Sequence, residues 1–272
     1  MIERRYHGDE KQLKKVLPVL FPEVAYSEIR ACLRRRDVKV DGVRTSSDEI
    51  VVPSGANIAI YPKTVKEIKI IYEDAEILVC YKPKGVASEG EVSFETSVRA
   101  LRPEARLTHR LDTNTDGLIL FAKTELAYRE IFTAMKEGAI LKEYVAEVYG
   151  HPVVTGSVTL DYYYRKDAEK GRAMISEHPK KGYLPVRISF SVLQEKESST
   201  VLLVSLHKGK THQIRAMLAH YGFFILGDGK YGNDGINRTL GVKKTLLTAR
   251  SLRFAFPQDS SLAYLNSRTI SL

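Results

Sequence analysis

Residues 108–124 read THRLDTNTDGLILFAKT, and the two halves of this stretch call for different structures. Leu118, Ile119, Leu120, Phe121 and Ala122 form an unbroken apolar run of strand length, entered through Gly117. Ahead of them stand His109, Arg110, Asp112, Asn114 and Asp116, a polar segment that reads as a loop delivering side chains to the start of a strand. Asp112, Asn114, Asp116 and Gly117 match the opening of a calcium loop. That loop needs a bidentate acid at its twelfth position, where this chain has Lys123. With strand rather than helix on its flanks, the segment is not expected to hold calcium, and Asp116, just before Gly117, reads as a turn residue.

Outward from this strand the pattern alternates. A helix is predicted over 124–137, with Thr124 as N-cap, Tyr128, Ile131, Phe132 and Met135 as its apolar face, and Gly138 as the stop. Further strands are predicted at 68–72, 77–81, 144–149, 158–165, 186–193, 201–206 and 252–256. A second helix is predicted at 211–221. Successive strands without regular strand–helix–strand units predict an α+β fold with a mainly antiparallel mixed sheet. Before residue 67 two short helical patterns alternate with short strands. The expected organisation is a small α/β unit with its linker over 1–66 and a larger domain over 67–272.

Composition narrows the function. Lys and Arg number 42 against 33 Asp and Glu, a net charge of +9, which favours a polyanionic partner such as RNA. Cys32 and Cys80 lie far apart among apolar neighbours with no CxxC motif, as two reduced buried thiols would in the cytoplasm. The first residues are charged and lack the apolar stretch of a signal peptide, and no apolar run is long enough to cross a bilayer. A cytoplasmic monomer, without a membrane partner, is expected.

Two glycine-rich segments are set aside. Residues 227–232, GDGKYG, spell GxGxxG, but the polar residues that follow do not form the apolar helix a dinucleotide loop must open. Residues 208–211, KGKT, match the end of a phosphate loop whose first glycine would fall at Val204. His212 and His220 share a helix without a third ligand, so no metal is expected.

The stretch HRLDTNTDGL resembles the signature of the RluA family of pseudouridine synthases, H-R-L-D-x-x-T-[ST]-G-L, with Asp116 where the family has Ser. The resemblance recurs in order. Residues 77–86, ILVCYKPKGV, are similar to the family's first motif, with Tyr81 in place of Asn. Residues 142–150, KEYVAEVYG, carry the family's tyrosine at Tyr144, and residues 208–218, KGKTHQIRAML, continuing to Gly227-Asp228 and Tyr231-Gly232, follow its third motif. A late Leu-His-Ala element is here Leu247-Thr248-Ala249. The likeness spans about residues 68–256.

The resemblance implies an RNA pseudouridine synthase that breaks the N1–C1′ bond of selected uridines, turns the base and rejoins it at C5. The reaction adds no atom and changes no oxidation state, so no cofactor is expected. By resemblance, Asp112 is the catalytic carboxylate; attack on C1′, attack on the base and proton abstraction are all open. Tyr144 would lie against the target base, and Arg215 would keep Asp112 charged in a dry pocket. Arg110 would fill the position vacated by the flipped base, and Lys142 and Lys82 would contact phosphate. Structured RNA, ribosomal or transfer, is the expected partner. The alternative is a catalytically inactive RNA-binding factor.

Residues 26–44, YSEIRACLRRRDVKVDGVR, complete the sequence reading. Ser27 can cap a helix with Ile29, Cys32 and Leu33 as its apolar side, and Arg30, Arg34, Arg35 and Arg36 offer forked donors to phosphates. Val38-Lys39-Val40 then forms a strand closed by the Asp41-Gly42 turn. The pattern resembles the small RNA-binding domain named after the fourth small-subunit ribosomal protein, over roughly residues 13–61, and implies that the N-terminal unit grips RNA.

Overall fold

The computed structural model describes all residues except 25, 63–67 and 91–92, together with the side chain of Ser27. The predicted Ser27 cap and most of the predicted linker therefore lie outside the described residues. The chain forms two compact units, Met1–Lys69 with Ala87–Glu104, and Ile70–Val86 with Ala105–Leu272. No helix among the described residues is long and apolar enough to cross a membrane.

The first unit contains β1 (Ile2–Arg5), β2 (Lys11–Gln12), α1 (Leu13–Leu20), α2 (Tyr26–Arg34), β3 (Val38–Val40), β4 (Val43–Thr45), β5 (Val51–Val52), β6 (Asn57–Ile60) and α3 (Phe94–Leu101). Four strands form an antiparallel sheet in the order β1-β6-β3-β4. Asp41 and Gly42 both adopt positive φ, 48° and 81°, the two-residue turn that matches the natural twist of a hairpin. Ile29, Cys32 and Leu33 bury the predicted face of α2 against Leu13, Leu17, Val38, Ile58 and Ile60. Helix α3 escaped the sequence reading; Ser93 and Thr96 cap it reciprocally.

The second unit is built on an eleven-stranded sheet. Its elements are β7 (Ile70–Glu73), β8 (Ile77–Lys82), β9 (Arg106–Leu107), β10 (Asp116–Ala122), α4 (Glu125–Glu137), β11 (Ile140–Tyr149), β12 (Ser157–Asp167), β13 (Arg172–Ser176), β14 (Leu184–Glu195), β15 (Ser199–Leu206), α5 (Gln213–Tyr221), α6 (Asp234–Thr239), β16 (Leu247–Phe254) and β17 (Thr269–Ser271). The strand order is β13-β12-β14-β15-β11-β16-β10-β8-β7, with β17 on β16 and β9 on β10. The sheet is mixed, as expected: β10 and β16 pair in parallel and the other pairs are antiparallel. Residues 247–249 and 252–254, read separately in the sequence, belong to one strand.

Thr124 caps α4 by accepting from Ala127 N at 3.1 Å, and Gly138 ends it at φ 82°, both as predicted. The buried stripe, however, is Ala127, Ile131 and Ala134, while Phe132 is exposed. Alanines at i and i+7 let the helix lie close on the sheet, which turns the bulkier Phe132 outward.

Gly117 holds the parallel pairing together. Its φ is 113°, and a Cβ there would stand 2.1 Å from the Ala249 carbonyl oxygen. Gly117→Ala is therefore expected to destabilise the protein by about 3 kcal/mol, combining backbone strain with overpacking. A thermal melt within a degree of wild type would contradict this account.

Candidate active site

The site grows from the loop between His109 and Asp116. Leu120 N donates to His109 Nε2 at 3.1 Å, and Thr108 Oγ1 donates to the Leu120 carbonyl at 2.8 Å, so the loop's entry is stitched to β10. Burial, then the Lys142 charge, push the His109 imidazole down to about 3, leaving it a neutral acceptor. Farther along, Thr115 N donates to the Asp112 carbonyl at 3.0 Å, and Gly85 N to the Thr113 carbonyl at 2.7 Å.

Lys82 braces this loop from inside. It is 0% exposed, and its ammonium donates to the carbonyls of Val86 at 2.8 Å, Pro83 at 3.1 Å and Thr113 at 3.4 Å. Burial lowers its pKa to about 8 against the opposing charges of Asp116 and Asp112. The expected phosphate contact is corrected here. A lysine wrapped by three carbonyls and sealed from solvent presents nothing to RNA.

Asp112 leaves the loop with its side chain 21% exposed and meets Arg215 from α5, whose Nη1 donates to Asp112 Oδ2 at 2.7 Å. The same guanidinium forks onto Asp228, Nε to Oδ2 at 2.7 Å and Nη2 to Oδ1 at 2.8 Å. Asp228 is fully buried and also accepts from Lys230 N and Tyr231 N. Burial opposes its charge, but the Arg215 hydrogen bonds and charge outweigh this and hold the carboxyl below the usual range. Arg215, likewise penalised by burial, is raised by its bonds to Asp228 and Asp112. One cation thus carries two carboxylates, one sealed and one partly exposed.

Tyr144 lies on β11, buried, with its phenol pushed up first by burial and then by the Asp112 charge. Lys142 shares the buried face of that strand, and burial alone lowers it to about 8. Arg110 is exposed. The structure therefore brings Asp112, Arg215 and Tyr144 together, with Lys142 two residues from Tyr144 along β11.

Three residues here lie in the third motif but were given no role from the sequence: Asp228, Tyr231 and His212. His212 Nε2 is 3.9 Å from Asp112 Oδ2, and its Nδ1 is 3.1 Å from the Tyr231 hydroxyl. The Arg215 guanidinium lies over the Tyr231 ring at 5.3 Å. The resemblance marks their positions, His212 within 208–218 and Asp228 and Tyr231 in its continuation, but their contacts with Arg215 and Asp112 depend on the fold.

Asp116 is a strand residue rather than a turn residue. Its carboxylate accepts from Tyr81 Oη and Thr248 Oγ1, each at 2.7 Å, with Lys84 Nζ at 3.6 Å. Tyr81, Asp116 and Thr248 are the three positions where the chain departs from the family pattern, and they touch one another.

Within the first unit, Arg30, Arg34 and Arg36 are exposed. Arg35 is not available as expected: it pairs with Asp37 at 2.8 Å and Glu28 at 2.9 Å, which commits its fork inside the protein. Beside them, Arg44 and Lys39 lie over the Tyr61 ring at 5.3 and 5.7 Å.

A partly exposed carboxylate paired with a buried arginine, on a mixed sheet that carries an ordered series of motifs, is the frame against which known proteins can be compared. The family model described as RNA pseudouridylate synthase matches residues 76–220. The chain belongs to that family. It is 32% identical over 266 residues to a ribosomal large subunit pseudouridine synthase C of Salmonella typhi, covering 86% of this chain and 82% of that one. The synthase C of Haemophilus ducreyi is 30% identical over 213 residues, a match to 74% of this chain and 65% of the relative's length. Among solved structures, human RNA pseudouridylate synthase domain containing 1 shares the fold, with a TM-score of 0.62 at 23% identity, covering 78% of this chain and 85% of that one.

Proposed function

We propose that this protein converts selected uridines of structured RNA, ribosomal large-subunit RNA in the first place, to pseudouridine. Asp112 is the catalytic carboxylate, Arg215 its counter-ion and Tyr144 the surface against the target base. The observation that carries the reading is the shared cation: Arg215 donates to Asp112 Oδ2 at 2.7 Å while both oxygens of the buried Asp228 anchor the same guanidinium from behind. That the relatives are ribosomal large subunit pseudouridine synthases supports a ribosomal substrate.

The reaction needs the N1–C1′ bond broken and a C5–C1′ bond made. In the net change the proton on C5 is lost and N1 gains one, with no oxidant and no added atom. Asp112 serves the electron-poor C1′ stage, as carboxylates do in glycoside chemistry. A dry pocket keeps the detached base from being replaced by water. The target base must leave its stack, at a cost of a few kcal/mol, and Arg110, exposed beside Asp112 in sequence, is assigned to occupy the gap. Lys142 supplies a further cation near the pocket.

The test is release of tritium from RNA labelled at uridine C5, with pseudouridine mapping in a deletion strain to identify the site. Absence of release from every ribosomal and transfer RNA offered would overturn the reading in favour of an inactive RNA-binding factor.

The first unit is assigned to grip RNA through Arg30, Arg34 and Arg36, as a small ribosomal-protein-like module. Each phosphate neutralised adds roughly 0.7–0.9 to the log–log salt slope of binding. Replacing all three by Gln should flatten that slope by about two to three units and leave the single-turnover rate at saturating RNA unchanged. An unaltered slope would make these arginines a solvated face.

A further inference from the structure

The reaction proposed above requires a base for the C5 proton, and the groups around Asp112 supply few. The phenols of Tyr144, Tyr164 and Tyr231 are all raised by burial, so each stays protonated. Arg215 is a permanent cation, and the Lys82 ammonium is held by three carbonyls. Lys142, lowered by burial to about 8, is still mostly an ammonium at neutral pH and offers no free lone pair.

One group fits. His212 stands at the N-cap of α5 in the left-handed region, φ 58° and ψ 17°, without making a capping bond. A residue with a Cβ takes that conformation at a cost of about 1–2 kcal/mol, and here the turn fixes it: Gln213 N donates to the Lys210 carbonyl, and Lys210 N to Gln213 Oε1. The effect is to aim the imidazole inward, 12% exposed, with Nε2 3.9 Å from Asp112 Oδ2. On the other side Nδ1 meets the Tyr231 hydroxyl at 3.1 Å, edge-on to that ring. Tyr231 Oη already accepts from Ala173 N and has a lone pair left for an Nδ1–H.

We propose that His212 is a second catalytic residue, the base that takes the C5 proton through Nε2 and returns a proton to N1. In this step the C5–H bond breaks, its electron pair restores the ring double bond, and the proton forms an N–H bond on His212. The imidazolium then gives a proton to N1, directly or by exchange with water, so the books close without a co-reactant. The charges facing the ring agree with a neutral starting state. Burial lowers its pKa first, Arg215 and Lys230 lower it further, and Asp112 and Asp228 oppose them without reversing the direction. The assignment rests on the isomerase reading.

The test compares His212→Asn with wild type, because Asn accepts left-handed backbone and cannot carry the proton. Single-turnover rates are measured on RNA bearing uridine and on the same RNA bearing 5-fluorouridine, which has no C5 proton to lose. On uridine the variant should be slower by about 10²- to 10⁴-fold, the usual worth of a general base, with a C5-deuterium isotope effect larger than wild type. On 5-fluorouridine the loss of the N-glycoside should proceed at a rate close to wild type. The acid limb of the pH–rate profile should also disappear. Equal slowing on both RNAs would reduce His212 to a residue that positions Asp112, and a wild-type rate on uridine would remove it from the reaction. If His212→Asn fails to fold, Tyr231→Phe, which removes the Nδ1 partner, should show the same uridine-selective slowing, and equal slowing there would overturn the proposal. Inactivity of wild type on uridine would instead strike the isomerase reading itself.

Discussion

Asp112→Asn is expected to lower turnover by on the order of 10⁴-fold or more, the scale seen when a member of a catalytic unit is removed, while leaving RNA affinity close to wild type. That fall corresponds to about 5.5 kcal/mol of transition-state stabilisation. The asymmetry follows from the site. Asn is nearly isosteric and can still accept from Arg215 Nη1, and the guanidinium keeps both of its bonds to Asp228. The framework therefore survives, and only the negative charge facing the pocket is lost. Tritium release and filter binding, measured on the same preparation, check both halves. Turnover above a few per cent of wild type would remove Asp112 from the chemistry, and a parallel loss of affinity would make it a binding residue.

Arg215→Met should be damaging in a different way, because the cation serves two masters. Asp228 is fully exposed to the consequences: it has no solvent, and Arg215 is the only cation bonded to it among the described residues. Breaking a buried pair by removing one partner costs about 3–5 kcal/mol, so the variant should be markedly less stable as well as nearly inactive.

The pH dependence has a definite sign. In wild type the Asp228 carboxyl is held below its unfolded value, so its contribution is present above that unfolded value and is lost as pH falls through the folded one. In the variant only the Lys230 and Tyr231 backbone amides still oppose burial, so the carboxyl rises. The penalty is then full at neutral pH and fades as acid protonates Asp228. The stability gap between wild type and variant should narrow on acidification. Adding Asp228→Asn to Arg215→Met should restore much of the stability and little of the rate, since Asp112 still lacks its counter-ion. Thermal melts across pH, beside single-turnover rates, separate the two effects. A variant as stable as wild type at neutral pH would count against the shared cation.

What could be read from the chain alone was whatever a few neighbouring residues decide. Thr124 and Gly138 bound a helix because a cap and a left-handed stop act within one turn. Asp41-Gly42 closes a hairpin because its two residues alone set the twist. The apolar run at 118–122 had to be a buried strand, and the ordered motifs around it marked the family and the loop proposed to carry the chemistry. The tertiary structure decided the rest. Lys82 would be taken for a surface cation from its type, and only the fold around 83–86 and Thr113 gives its ammonium three carbonyls in place of water. Phe132 fits an apolar helical face by spacing, but Ala127 and Ala134 set how close the helix lies and turn it outward. Asp116 finds Thr248 only because β10 and β16 run side by side in parallel. His212 reaches Asp112 through a strained backbone angle and a helix that returns from 103 positions along the chain with Arg215. Capping, turns and periodicity are set by short-range sterics and local hydrogen bonds, so they are written in adjacent residues. Pairings between charges depend on sheet register and on which groups are sealed from water, and those exist only once the chain has closed on itself.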